Sequence, residues 1–112
     1  TKDRFIDDER FARAFVTDKY RFSRWGRIKI RAALYAKRVP SWMIDEAMDE
    51  VDDREYADNL LQLLRAKRRA LGEEAATYEG RTKLFRYGAS RGYELPLIAS
   101  AIKDAKLWRD DE

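Results

Sequence analysis

GRIKIRAALYAKRVPSWMIDEAM, Gly26 to Met48, is the stretch whose reading decides the fold. Ile30, Ala33 and Leu34 recur at three- and four-residue spacing, which puts them on one face of a helix. That helix is predicted from Gly26 to about Arg38. Pro40 has no amide hydrogen and cannot sit inside it, so the chain must break there. Ser41 is placed to cap a further helix, in which Ile44, Ala47, Met48 and Val51 keep i, i+3, i+4, i+7 spacing. Two short helices joined by a tight turn are expected.

Parts of this stretch recur downstream. GRIKI at Gly26–Ile30 is answered by GRTKL at Gly80–Leu84, displaced by 54 residues. At the same displacement Lys37-Arg38-Val39 meets Arg91-Gly92-Tyr93, and Ile44, Ala47 and Met48 meet Ile98, Ala101 and Ile102. Upstream, ERFA at Glu9–Ala12 is answered by REYA at Arg54–Ala57, displaced by 45. The order predicts a duplicated three-helix unit, residues 1–51 and 52–112, the second with a lengthened first helix. Such units stack because one alone cannot bury its apolar face. The fold class is therefore all-α, an elongated array of tandem three-helix repeats.

The remaining helices follow from the same spacing. The first is expected from Asp7 or Asp8, with Asp7 as N-cap and Ile6 and Phe11 as a hydrophobic staple. Its buried stripe is read as Phe11, Phe15 and Phe22, adjoined by Ala12, Val16 and Tyr20; Trp42 and Tyr56 are also read as packing residues. A fourth helix begins at Asp52 or Asp53 and turns Tyr56, Ala57, Leu60, Leu61, Leu64 and Leu71 inward. The fifth covers roughly Glu79 to Arg91. The sixth starts near Pro96, a favoured first-turn residue, and buries Ile98, Ala101, Ile102 and Ala105.

Composition narrows the function. Forty per cent of the 112 residues are charged and the mean hydropathy is −0.74, so the core is thin. There is no cysteine and no histidine. Disulfides, thiolate metal sites and the commonest general base are therefore missing. The glycines are isolated, so no phosphate-cradling loop forms. No enzyme and no cofactor are expected. Asp45 and Asp49, with Glu46 and Glu50 beside them, could be read as a hard-metal site; a solvated acidic face is the stronger reading. No apolar run approaches ~18 residues, and no secretory signal opens the chain. A cytoplasmic monomer is expected, and the start at Thr1 suggests a piece of a longer protein.

Charge is sorted along the chain. The net charge is +3, yet residues 20–38 sum to +7 and residues 39–62 to −7. At ~100° per residue, Arg27, Arg31 and Arg38 form one stripe, and Arg24 joins it if the helical path extends back a turn. Lys29 and Lys37 lie off the stripe; Trp25 and Tyr35 flank it. The fifth helix carries Arg81, Lys83, Arg86 and Arg91, and the fourth ends in RAKRR, Arg65 to Arg69. Arginine on a rigid helix suits bidentate contact with carboxylate or phosphate. A helix-turn-helix reading over Arg27–Glu50 fails on charge, because the groove-reading helix would bring Asp45, Glu46, Asp49 and Glu50 against phosphates. Looser contact between basic helices and a nucleic-acid backbone remains open.

In combination FIDDERFARAF, WGRIKIRAAL and KRVP resemble the bacterial RecX family of RecA regulators. The resemblance covers nearly the whole chain. It implies tandem three-helix repeats, usually three, of which these would be the second and third. It further implies a partner, the RecA–DNA filament, in whose groove the protein would lie and limit ATPase and strand exchange. One departure stands out: the family tends to place Lys-Gly after the second helix, where this chain has Lys37-Arg38 but keeps Arg91-Gly92 later. The first of these turns is therefore expected to be built differently. Charge pattern, not the resemblance, selects the docking residues: Arg24, Arg27, Lys29, Arg31, Lys37 and Arg38 first, then Arg65, Lys67, Arg68, Arg81, Lys83 and Arg86. They are expected to meet acidic RecA surface or DNA phosphates. The competing readings are a general nucleic-acid-binding helical module and an interaction domain for another acidic partner.

Overall fold

The computed structural model describes the backbone of residues 2–107 and the side chains from Asp8 to Leu107. The described residues form helices only: α1 (Lys2–Arg21), α2 (Arg27–Ala36), α3 (Ser41–Met48), α4 (Asp53–Leu71), α5 (Tyr78–Ser90) and α6 (Leu95–Asp104), with a short 3₁₀ segment at Gly72–Ala76. The all-α expectation holds. Helix α1 packs on α2 and α3, and α2 on α3; α4 packs on α5 and α6, and α5 on α6. The chain extends over 61 × 23 × 20 Å, and one continuous core runs from Ala12 to Leu107.

Local chemistry sets the helix ends. The Asp52 carboxylate accepts from the Glu55 amide at 2.8 Å, a cap worth about 1 kcal/mol. Asp53 and Glu55 then sit in the positive first turn of α4. Thr77 caps α5 in the same way through the Gly80 amide, at 3.0 Å. Pro40, not Ser41, is the N-cap of α3: its carbonyl accepts from the Met43 and Ile44 amides, both at 3.0 Å. Helix α1 begins before Asp7, so Asp7 lies within it and is no N-cap; the Ile6 side chain of the expected staple lies outside the described residues.

Burial agrees with the spacing for α3, where Met43, Ile44, Ala47 and Met48 are all buried, as is Val51 just beyond. It differs in α1. The buried stripe is Ala12, Val16 and Tyr20, whereas Phe11 is 43% and Phe22 79% exposed. Period alone cannot separate two adjacent strips of one amphipathic face; Ala12, Val16 and Tyr20 take the side turned into the core, where α3 packs on α1. Trp42, at 51% exposure, is also surface rather than core. The buried positions of α1 match Tyr56, Leu60 and Leu64 of α4 at a displacement of 44, one short of the ERFA–REYA match.

The turn after α2, expected to be built differently, has the same shape as the turn after α5. Arg38 takes a left-handed φ of 64°, as Gly92 does at 96°. In both turns the hydrogen bonds are equivalent: Val39 donates to Leu34 and Arg38 to Tyr35, while Tyr93 donates to Gly88 and Gly92 to Ala89. The Schellman turn is dictated by its backbone bonds, so arginine adopts it. An L-residue there carries a cost of roughly 1–2 kcal/mol.

Candidate interaction site

The cations singled out by sequence fall into two sets, those used inside the fold and those left on the surface. Arg27 belongs to the first. Its backbone amide donates to the Tyr56 hydroxyl at 2.8 Å. Its guanidinium donates to Glu94 at 3.2 Å and to Asp53 at 2.6 Å, and stacks 4.0 Å from the centre of the Tyr56 ring. The Tyr56 hydroxyl in turn donates to Glu94 at 2.5 Å. Burial, reinforced by the hydrogen bond to Glu94, holds the Tyr56 proton on well beyond the ordinary phenol range.

This network is part of a junction between α1–α3 and α4–α6. The Gly26 amide donates to the Arg91 carbonyl at 2.7 Å, and the Ile28 amide to the Gly92 carbonyl at 3.0 Å. A Cβ on Gly26 would stand 2.2 Å from the Gly92 carbonyl carbon, and one on Gly92 would stand 2.4 Å from the Lys29 Cβ. Only two glycines let the backbones meet this closely. Around them Arg91 donates to the Ser23 carbonyl, Tyr93 to the Arg24 carbonyl at 3.0 Å, and the buried Asn59 to the Tyr20 carbonyl at 2.7 Å. Burial pushes the Tyr93 hydroxyl up to about 12. The expectation that Arg27 projects freely from a stripe is thus corrected: its side chain is 28% exposed and paired with both Glu94 and Asp53.

Arg31 is also engaged, with Asp45 at 2.7 Å, which accounts for one member of the acidic block. Lys83 pairs with Glu74 at 2.6 Å. Arg81 lies half-buried, its guanidinium 5.5 Å from the Phe85 ring centre. Among the described residues, no side-chain grouping could hold a metal ion.

The surface set has two clusters. In the first, Lys29 lies 4.6 Å and Lys19 4.8 Å from the Trp25 ring centre. Lys37 lies 5.9 Å from the Phe15 ring, and Phe15 packs edge-on to Trp25 at 6.3 Å. The end of α1 and the two ends of α2 therefore gather three ammonium groups around a two-ring platform, Lys19 also pairing with Asp18 at 3.7 Å; each ring contact is worth roughly 0.5–1 kcal/mol at such exposure. Lys29 and Lys37, which fell off the arginine stripe, are central here; Lys19 was missed, its only sequence signal being the i, i+4 step from Phe15. Arg24 and Arg38 are exposed nearby in sequence, both at left-handed positions. The second cluster is the end of α4. Arg65, Arg68 and Arg69 are exposed there, and Lys67 reaches across to Tyr87 of α5, 5.4 Å from its ring centre. Arg86 is exposed on α5. Among the described residues none of the cations Lys29, Lys37, Arg65, Arg68 or Arg86 has a carboxylate within ion-pair distance.

Residues 7–48 match the family model described as RecX, second three-helix domain. The chain is 34% identical over 102 residues to the regulatory protein RecX of Clostridium botulinum (strain Alaska E43 / Type E3), which covers 90% of this chain and 47% of that protein. The chain belongs to the RecX family. A second relative, the regulatory protein RecX of Halalkalibacterium halodurans, is 26% identical over 112 residues, covering 100% of this chain and 42% of its own length. The RecX-family chain thus spans about half the length of the curated relatives it matches. No solved structure matches it. Among the described residues no helix is long and apolar enough to cross a membrane.

Proposed function

We propose that this chain regulates recombination by binding a cytoplasmic RecA–DNA filament, acting without catalysis of its own and limiting the filament's ATP hydrolysis and strand exchange. Its two helical groups, residues 1–51 and 52–112, act as successive repeats of one array. The observation that carries the reading is the match to RecX regulatory proteins along 90% of the chain. The elongated shape and the surplus cations support it, since an extended body can touch more than one filament subunit. In the test, RecA is assembled on single-stranded DNA with ATP and the chain is titrated in. Co-sedimentation with the filament and falling ATP hydrolysis and strand exchange are expected, weakening with added salt. No co-sedimentation and unchanged hydrolysis would overturn the reading.

The basic end of α4 favours a second reading, direct contact with nucleic-acid phosphates. Arg65, Arg68 and Arg69 form a cationic surface with no acid paired to it among the described residues. Binding to DNA without RecA, with a steep salt dependence, would support this contact.

A further inference from the structure

We infer that the solvent face of α2 is a protein-docking surface, shaped for an apolar patch rimmed with carboxylates and not for nucleic acid. The inference rests on the filament reading above and assigns α2 to the protein side of that filament. Helix α2 buries Ile30 and Leu34, yet its opposite face is also apolar. Ile28 is 56% and Tyr35 55% exposed, and Ala32 and Ala36 are exposed as well. These four stand at i, i+4, i+7 and i+8, one strip along the helix. A single exposed isoleucine means little. A whole solvent face without a charged residue on a ten-residue helix is different, because nothing in the fold requires it.

The same face of α5 shows that it is not required. At the 54-residue displacement, Ile28, Ala32, Tyr35 and Ala36 correspond to Thr82, Arg86, Ala89 and Ser90. There the threonine bonds back to the Tyr78 carbonyl, and the arginine, alanine and serine are exposed. One position in the fold is thus polar in one copy and apolar in the other.

Charge names the partner. On one edge of the strip Arg31 is already neutralised by Asp45. On the other, Lys29 and Lys37 are held against Trp25 and Phe15 without a carboxylate among the described residues. An apolar centre with a cationic rim matches a protein surface of apolar centre and acidic rim. A nucleic-acid backbone would gain nothing from isoleucine and tyrosine at the middle of the contact. A second copy of this chain would bring the lysine rims together, which disfavours self-association.

Ile28→Ser with Tyr35→Ser removes the apolar centre without changing charge, and Lys29→Glu with Lys37→Glu reverses the rim. Each double variant is compared with the wild type for binding to RecA filaments, for binding to DNA alone, for sedimentation as free chain and for thermal melting. The serine variant should bind filaments at least tenfold more weakly, with DNA binding, sedimentation and melting unchanged. The rim variant should also weaken filament binding, with a flatter salt response. A wild type that fails to bind filaments overturns the filament reading itself. A wild type that binds, with a folded serine variant binding equally well, overturns the docking face alone. Equal loss of DNA binding would make the strip a nucleic-acid contact, and a dimeric wild type made monomeric by the serines would make it a self-association face; either result also overturns the proposal. If the serine variant melts early, the rim variant decides, and undiminished filament binding by it sinks the assignment.

Discussion

The turns that close α2 and α5 share one backbone shape and differ in what presses on them. Both pass through a left-handed residue, Arg38 in one and Gly92 in the other. Gly92 has Lys29 packed where a side chain would begin, whereas Arg38 is exposed. Glycine is needed at the α5 turn for space; at the α2 turn only for conformational ease, and a strained arginine is tolerated. The helices before these turns differ in the same sense. The α5 turn faces the partner repeat and serves the junction, while α2 keeps its outer face free and apolar.

The largest effect should come from filling the tight turn. Gly92→Ala meets both the left-handed penalty and a 2.4 Å clash, a loss of about 2–6 kcal/mol in urea unfolding. A melt like the wild type's would show that the junction opens easily. Leu60→Ala against Ile28→Ala contrasts the buried stripe with the exposed one. Leu60, fully buried, should cost about 2–5 kcal/mol, and Ile28 no more than about 0.5. Similar losses would mean that the α2 face is covered within the fold.

Tyr56→Phe should cost about 1–3 kcal/mol, because the Arg27 amide and Glu94 lose their shared partner inside the junction. Exchanging Arg27 and Arg31 together for glutamate, which sequence treats as a surface change, should destabilise the fold by a comparable amount. Smallest is Arg38→Gly, expected to gain about 0.5–1 kcal/mol, since relief of strain exceeds the extra freedom of the unfolded chain. No gain would show that Arg38 is held by contacts its exposure hides.

Alkali probes the junction without mutation. Burial raises the Tyr56 and Tyr93 phenols above the ordinary phenol range, Tyr93 to about 12. A raised folded pKa favours the protonated form in the folded chain. The associated stability is therefore fully present below about pH 10 and is lost progressively above it, for Tyr93 as pH rises through about 12 and for Tyr56 only beyond that. Phenolate absorbance followed alongside circular dichroism should show these two tyrosines ionising late and together with unfolding. Early, fold-independent ionisation of every tyrosine would contradict their burial.

Much of this protein was legible in its residues. Pro40, Asp52 and Gly92 act through local backbone chemistry, and Ile44, Ala47 and Met48 through helical period, so the helices, their breaks and the repeat could be read directly. The site was only half legible, for a physical reason. A stripe on an isolated helix shows which cations share a face, but neutralisation depends on what arrives from far along the chain. Glu94 reaches Arg27 across 67 residues and Asp45 reaches Arg31 across 14. Period likewise could not choose between Phe11–Phe15 and Ala12–Val16 as the inward strip of α1, because close packing of α3 made that choice. Sequence alone determined the helices and the sorting of charge; tertiary packing decided which arginines hold the repeats together and which lysines are left without a carboxylate, because a charge is spent or left over only once its neighbours are in place.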